Sequence, residues 1–384
     1  MNEVYLDNSA TTPPFEEVLD YLHQLQLDYY GNPSSLHKKG LEAEKKMEEA
    51  RQTLATCLRT HPGEIIFTSG GTEANNLAIK GLAYRYQRRG NHLVTTPIEH
   101  PSSWLAFQKL EDEGFRVSYA PVFSDGKIDV SRLTELIDQN TILVNLILVN
   151  NEIGTVQETA DIVNKIKEKN SQALIHADGV QALGKIKLHP RELGLDVLSL
   201  SSHKLHGPKG VGALWLNKAT KITPLLQGGE QEQGVRPGTE NFPGIAGFGK
   251  AVELYFNYHF KQIDFLRELK REFINKITPY LEVQINGPSL EEGAPHILNL
   301  SFPGVKSEVL IRTLEEQGVY ASPGSACHSR NPRPSHVLTA LGYNQERIDG
   351  AVRFSFSTFN HREQIEYAAS KVVSCTKELQ RLMI

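Results

Sequence analysis

Between Ile65 and Leu216 the chain alternates short apolar runs with amphipathic ones, and this alternation restricts the fold more than any other feature. Ile65 to Thr68, His92 to Thr96, Arg116 to Ala120, Thr141 to Val149, Ala173 to Asp178, Val197 to Ser201 and Val211 to Leu216 read as strands. Glu73 to Tyr86, Ser131 to Ile137 and Asp161 to Glu168 carry helical spacing between them. So does Leu41 to Leu58 upstream, with Ala43, Met47, Ala50, Leu54 and Cys57 on one face. Strands spaced by helices form βαβ units, whose right-handed crossovers build a mostly parallel sheet with helices on both faces. Ligands of such sheets sit at the carboxyl ends of the strands. Past Tyr255 the pattern changes. A charged amphipathic helix (Phe260 to Ile277), a strand (His296 to Phe302), a helix (Glu308 to Gln317), a turn-rich loop, a strand (Ala351 to Ser357) and a last helix (Arg362 to Leu382) follow. The predicted fold is therefore α/β, with a second, smaller α+β domain from about residue 258. A chain of 384 residues has room for both.

Charge and apolar patterning exclude several classes of function. Lys plus Arg is 41 against 45 for Asp plus Glu, a net charge of −4, and no basic block stands out, so a nucleic-acid partner has no support. The longest apolar stretch, Ile142 to Val149, is interrupted by Asn145 and is far shorter than a membrane-spanning helix. The first residues show neither a basic nor an apolar leader segment. The three cysteines, Cys57, Cys327 and Cys375, form no CxxC pair and cannot all pair off, which points to a reducing, cytoplasmic setting.

Three strand ends carry chemistry. Ser69-Gly70-Gly71-Thr72-Glu73 lies between a strand and a helix, where free N–H groups of the first turn accept an anion. Taken alone it reads more readily as an ordinary turn with a Thr cap than as a phosphate cup, and it matches neither the dinucleotide fingerprint nor the P-loop. Asp178 ends an apolar strand, where a carboxylate needs a partner. Lys204 follows the strand Val197 to Ser201 directly. A lysine, an acid and an anion cup at neighbouring strand ends together suggest pyridoxal phosphate, which needs a Schiff-base amine, an acid at its pyridinium nitrogen and a phosphate site.

Ten segments, in order from residue 5 to residue 355, make the chain resemble the cysteine desulfurases, in the class V aminotransferase group of fold-type-I pyridoxal-phosphate enzymes. They are Tyr5 to Pro13, Gly31 to His37, Phe67 to Glu73, Glu99-His100, Val149 to Gly154, His176 to Gln181, Ser201 to Gly210, Arg236 to Thr239, Gly324 to Cys327 and Val352 to Ser355. The resemblance implies a seven-stranded sheet sandwiched by helices in a cofactor domain over 15–257. Residues 1–14 and 258–384 would form the small domain that carries the cysteine loop at about 322–335. It implies that Lys204 holds the cofactor, Asp178 pairs with the pyridinium nitrogen, Gln181 donates to the ring phenolate oxygen and His100 stacks on the ring and relays protons. Thr72, Ser201, His203 and the backbone after Gly71 would hold the phosphate, and Thr239 would reach the phosphate of a second subunit in a homodimer. Asn151 and Arg353 would hold the substrate carboxylate, the guanidinium as a two-pronged donor.

Cys327 lies in a polar, turn-rich loop beside His328, Arg330 and Arg333, which favours its thiolate. Cys57 and Cys375 have apolar neighbours at helical spacing and read as core. By resemblance, Cys327 takes the sulfur of L-cysteine as a persulfide, releases L-alanine, and passes sulfur to an acceptor protein such as an iron–sulfur scaffold. Local departures from the family pattern are Ala177, Gly179 and Pro237, with Pro323, Pro332 and Pro334 stiffening the loop. Rival readings are selenocysteine lyase, another class V reaction, or a catalytically silent assembly subunit; the last would not require Lys204, Cys327 and Arg353. His203, His206 or Cys327 with His328 make no convincing metal ligand set.

Overall fold

The computed structural model describes residues 3–324 and 334–382. Among these the strands form three sheets. The seven-stranded one runs, in spatial order, Ile65–Thr68, Gly212–Leu216, Val197–Ser201, Leu174–Asp178, Thr141–Ile147, His92–Thr95 and Arg116–Tyr119. Its pairings are parallel except those of Gly212–Leu216, which is antiparallel to both neighbours. The inner strands are mostly apolar because both faces are covered, whereas the edge strand Arg116–Tyr119 is polar and only half-buried. Ile65 and Phe67 enter one core and Ile66 the other; Leu198 and Leu200 face the first and Val197 the second. The helices Lys38–Leu58, Thr159–Lys169 and Phe242–Leu254 close the first core, and Gly71–Tyr86 and Pro101–Asp112 the second.

The α/β expectation holds, with ends displaced by a few residues. The helices Glu16–Asp28, Pro101–Asp112 and Phe242–Leu254 were not anticipated. The last is disguised by glycine, which lowers helix propensity. Gly249 has a packing reason: a Cβ there would stand 2.6 Å from Ala50 of the helix Lys38–Leu58. The segment expected as one helix from Phe260 is interrupted. A wide turn at Tyr255–His259 and a tight one at Phe260–Gln262 precede the helix Ile263–Ile277.

A four-stranded antiparallel sheet follows, ordered Ser322–Pro323, Ala351–Ser355, Ile297–Ser301, Gln284–Asn286. Its core joins Leu298, Leu300, Val352 and Phe354 to the helices Ile263–Ile277, Ser307–Glu316 and Arg362–Leu382. Val4 and Leu6 belong to this core as well. Val4–Tyr5 pairs in parallel with Val319–Tyr320, and the chain then crosses to the large sheet, where Thr12 donates its hydroxyl to the His203 carbonyl at 3.0 Å. Residues 4–12 thus bridge the two sheets. Cys375 is buried and Cys57 partly so; burial pushes the Cys57 thiol up to about 12, and raises that of Cys375 too.

Candidate active site

The carboxyl ends of three adjacent parallel strands converge. Asp178 stands in register with Ile147 on one side and Ser199 on the other. Just beyond, Ser202–Lys204 forms a tight turn that carries the Lys204 amine back over the sheet. There Lys204 Nζ donates to the carbonyls of Ser9 (2.5 Å) and Ala10 (2.7 Å). A cavity of about 330 Å³ opens at this point. Its wall includes Gly71, Thr72, His100, Asn151, Asp178, Gln181, Ser201, His203, Lys204 and Arg353. Ten residues singled out in sequence thus meet in one place. Thr239 does not: it lines a separate cavity with Ser69, Gly210 and Arg236. Cys327 lies outside the described residues.

Each group is held by identifiable partners. Asp178 is 4% exposed; its Oδ2 accepts from Asn75 Nδ2 at 2.7 Å and its Oδ1 from the Val180 N–H at 3.0 Å. His100 caps the helix Pro101–Asp112, its Nδ1 accepting from the Ser102 N–H at 3.1 Å with the Ser102 hydroxyl 2.7 Å away. Burial lowers its pKa, against the opposing pull of Asp178. His203, half-buried and next to Lys204, is pushed down to about 4 by desolvation and by that charge, so its ring is neutral near pH 7. Behind His100, the fully buried Glu99 accepts from the Thr96 hydroxyl (2.7 Å) and the Ile147 N–H (3.1 Å). Desolvation pushes its carboxyl up to about 8. Arg353 is 1% exposed; Nη1 donates to the Asn151 carbonyl (3.0 Å) and Nη2 to Asp7 (2.8 Å).

The anion cup differs from its expected form. The residue before the helix is Gly70, not Thr72, and no side chain caps it. Gly70 has φ +153° with ψ −178°, a region open almost only to glycine. A Cβ on Gly71 would meet Val180 at 2.7 Å. The turn therefore brings bare backbone N–H groups to the cavity, and Thr72 is left in the first turn. Glu73 steadies the turn by accepting from the Ser69 N–H (2.7 Å) and from Arg236 Nε (2.9 Å).

Arg236 belongs to the loop that carries Thr239. A buried ion pair braces that loop: Arg51 donates Nη1 and Nη2 to the two oxygens of Glu232 at 2.9 and 2.7 Å. Glu232 also accepts from the Phe67 N–H at 2.7 Å. Glu232 and its neighbour Gln233 both have left-handed backbone, at φ +47° and +60°.

Among the described residues, Ser201 Oγ, Ser9 Oγ, Asn151 Oδ1 and Arg353 Nε are buried polar atoms with no hydrogen-bond partner. Such atoms cost about 1–3 kcal/mol each unless a ligand meets them. Together with the Asp178 carboxylate and the Lys204 amine on the same cavity, the unpartnered hydroxyls, amide and guanidinium make a donor set that fits pyridoxal phosphate with an amino acid. Sequence reasoning gave no role to Asn75, Ser102, Asp7 or the Ser9 and Ala10 carbonyls. Asn75 and its neighbour Asn76 were detectable as amides among Ala74, Leu77 and Ala78, one helical turn from Thr72.

Residues 4–368 match the aminotransferase class-V family. The chain is 40% identical over 381 residues to a protein of Dictyoglomus turgidum named cysteine desulfurase IscS, covering 99% of this chain and 96% of that one. A solved NifS-like protein superposes with a TM-score of 0.92 at 36% identity, covering 97% of this chain and 99% of that one. A second structure, SspA in complex with cysteine, gives 0.81 at 34% identity over 94% and 100%.

Proposed function

Because the chain belongs to the aminotransferase class-V family, we propose that the cavity around Lys204 is where it acts as a cysteine desulfurase. It is a pyridoxal-phosphate enzyme that converts L-cysteine to L-alanine and hands the sulfur on for iron–sulfur cluster or other thio-cofactor synthesis. The observation that carries the placement is the convergence of Lys204, Asp178, Gln181 and Arg353 on one cavity at the strand ends. When bound, the cofactor supplies an electron sink for the substrate's bonds.

The chain's own residues do the rest. Lys204 Nζ would hold the cofactor covalently and, once displaced by substrate, move a proton. Asp178, itself fixed by Asn75 and the Val180 N–H, keeps a proton at the ring nitrogen. The backbone after Gly71, Thr72, Ser201 Oγ and His203 would hold the phosphate, and His100 would cover the ring face. Asn151 and Arg353 would orient the substrate carboxylate. The Cys327 thiolate would then attack the substrate sulfur: the carbon–sulfur bond breaks, a sulfur–sulfur bond forms on Cys327, and the protonated product is L-alanine.

The proposal extends to assembly. A homodimer in which Thr239 serves the partner's phosphate site is supported by the position of Thr239 outside its own chain's cavity. A cofactor unit over 15–257 and a smaller one over 1–14 and 258–384 is supported by the separate core that unites Val4 and Leu6 with Leu266 to Leu379. A cytoplasmic setting is supported by the three isolated cysteines; among the described residues no helix is long and apolar enough to cross a membrane.

Borohydride reduction of the purified holoenzyme tests the site. It should fix the cofactor covalently to the peptide containing Lys204. A borohydride-reducible bond that survives Lys204→Ala would overturn the assignment.

A further inference from the structure

Gln181 is the side-chain amide at the cavity wall that the reading above sets against the cofactor's phenolate oxygen, and its orientation can be deduced from one fixed partner. Its Nε2 lies 2.8 Å from the Ser9 carbonyl. A carbonyl only accepts, so the amide nitrogen must face it and Oε1 must face the other way. There Oε1 meets His296 Nε2 at 3.2 Å. Since Oε1 also only accepts, His296 has to carry its proton on Nε2. A neutral imidazole has one N–H, so Nδ1 must be bare. His296 Nδ1 is indeed a buried atom with no partner among the described residues.

The surroundings keep this ring neutral. His296 is 2% exposed, and the charged groups that act on it, Lys185, Lys204, Lys270 and Arg353, are all cationic. Together with burial they lower its pKa well below the ordinary value. The backbone around it is fixed as well. His296 immediately precedes the strand Ile297–Ser301, and its carbonyl accepts from the Phe356 N–H at 2.9 Å. The histidine is thus a rigid donor mounted on the second sheet and aimed at an amide on the first.

We propose that His296 is a positioning residue: its Nε2–H locks the Gln181 amide so that the second amide proton, not the amide oxygen, is presented to the cofactor's anionic ring oxygen. Without that lock the Ser9 carbonyl alone opposes a flip that would set a lone pair against an anion. The inference rests on the assignment of Gln181 made above.

Two measurements test it. The first is the pH titration of the bound cofactor's visible absorption in holoenzyme. A donor to the ring oxygen weakens that oxygen's hold on the neighbouring proton, so losing the donor moves the transition upward. Gln181→Leu and His296→Leu should each raise it by about one pH unit. The double variant should go no further, and His296→Gln, which can still donate, should bring the transition most of the way back to the wild-type value. A shift in Gln181→Leu with none in His296→Leu overturns the inference and leaves the Gln181 role standing. No shift in Gln181→Leu removes both. The second measurement needs no folded variant: nitrogen-15 resonances of histidine-labelled wild-type holoenzyme should show His296 protonated on Nε2 and bare on Nδ1. A proton on Nδ1, or a charged ring near pH 7, overturns the inference.

Discussion

Exchanging Arg353 for lysine keeps a positive charge in the cavity and removes the guanidinium fork, so it isolates the geometry of carboxylate recognition. Of the five N–H groups of an arginine, one is spent on the Asn151 carbonyl and one on Asp7. The remaining three include Nε, which is buried and has no partner among the described residues. A carboxylate can therefore be met by two parallel bonds without disturbing the existing ones. Lysine can supply a single point contact. One lost charge-assisted hydrogen bond corresponds to about 1.5–3 kcal/mol, or roughly a 10- to 150-fold fall in kcat/KM for L-cysteine. The assay is alanine release, set beside binding of cysteamine, which has the amine and thiol but no carboxylate. Cysteamine affinity should change by less than about threefold, because the lost bond is one it never makes. Cofactor content and melting temperature need to match the wild type, since Arg353 also ties its strand to Asp7. An equal loss for cysteine and cysteamine would refute the clamp, as would Arg353→Lys turning over cysteine within about twofold of wild type.

Cys327→Ser should retain the cofactor and bind L-cysteine, yet release alanine at background rate, because a hydroxyl is barely ionised at neutral pH and cannot form a persulfide. Substantial cysteine turnover would remove Cys327 from the reaction, and wild-type activity confined to selenocysteine would shift the substrate assignment. Glu232→Ala leaves Arg51 only Glu48 as an ion-pair partner and the Phe67 N–H unpaired, and should lower unfolding free energy by about 1.5–3 kcal/mol in denaturant melts. Arg51→Met with Glu232→Met should cost less than that single change; a larger cost would refute the reasoning. Glu99 should make stability depend on pH. Its folded pKa of about 8 lies above the unfolded value, so the stability it contributes is full below about pH 4.5 and is lost as pH rises toward 8. The difference between wild type and Glu99→Gln should follow that slope, and a flat difference over this range would contradict it.

The large sheet was legible because strands buried on both faces leave continuous apolar runs, and the residues that end them stand out. Asp178 and Lys204 were visible for that reason. The helix Phe242–Leu254 was not, since its glycines serve close packing rather than helix propensity. The site was legible where a side chain has its own chemistry, and obscure where the chemistry belongs to a partner or to the backbone. Asn75 matters through Asp178, and Ser9 and Ala10 through their carbonyls, which look alike at every residue. The misplaced Thr72 cap has a similar cause: a turn that exposes N–H groups is built by the absence of side chains at Gly70 and Gly71, whereas the sequence draws attention to the hydroxyl beside them.

The bridge made by residues 4–12 also sets a timetable for the chain's birth. Asp7 pairs with Arg353, Asn8 donates to the Ser355 carbonyl, and the Ser9 N–H donates to the Ser355 hydroxyl, across separations of 346 or 347 residues. At the usual 5–20 residues per second of synthesis, the segment waits roughly 20–70 s for the strand it will join. Until then Ser9 and Ala10 cannot be fixed over Lys204. A ribosome-bound chain thus holds Lys204 without its covering carbonyls, and the wall of this cavity closes only after the last strand has left the tunnel.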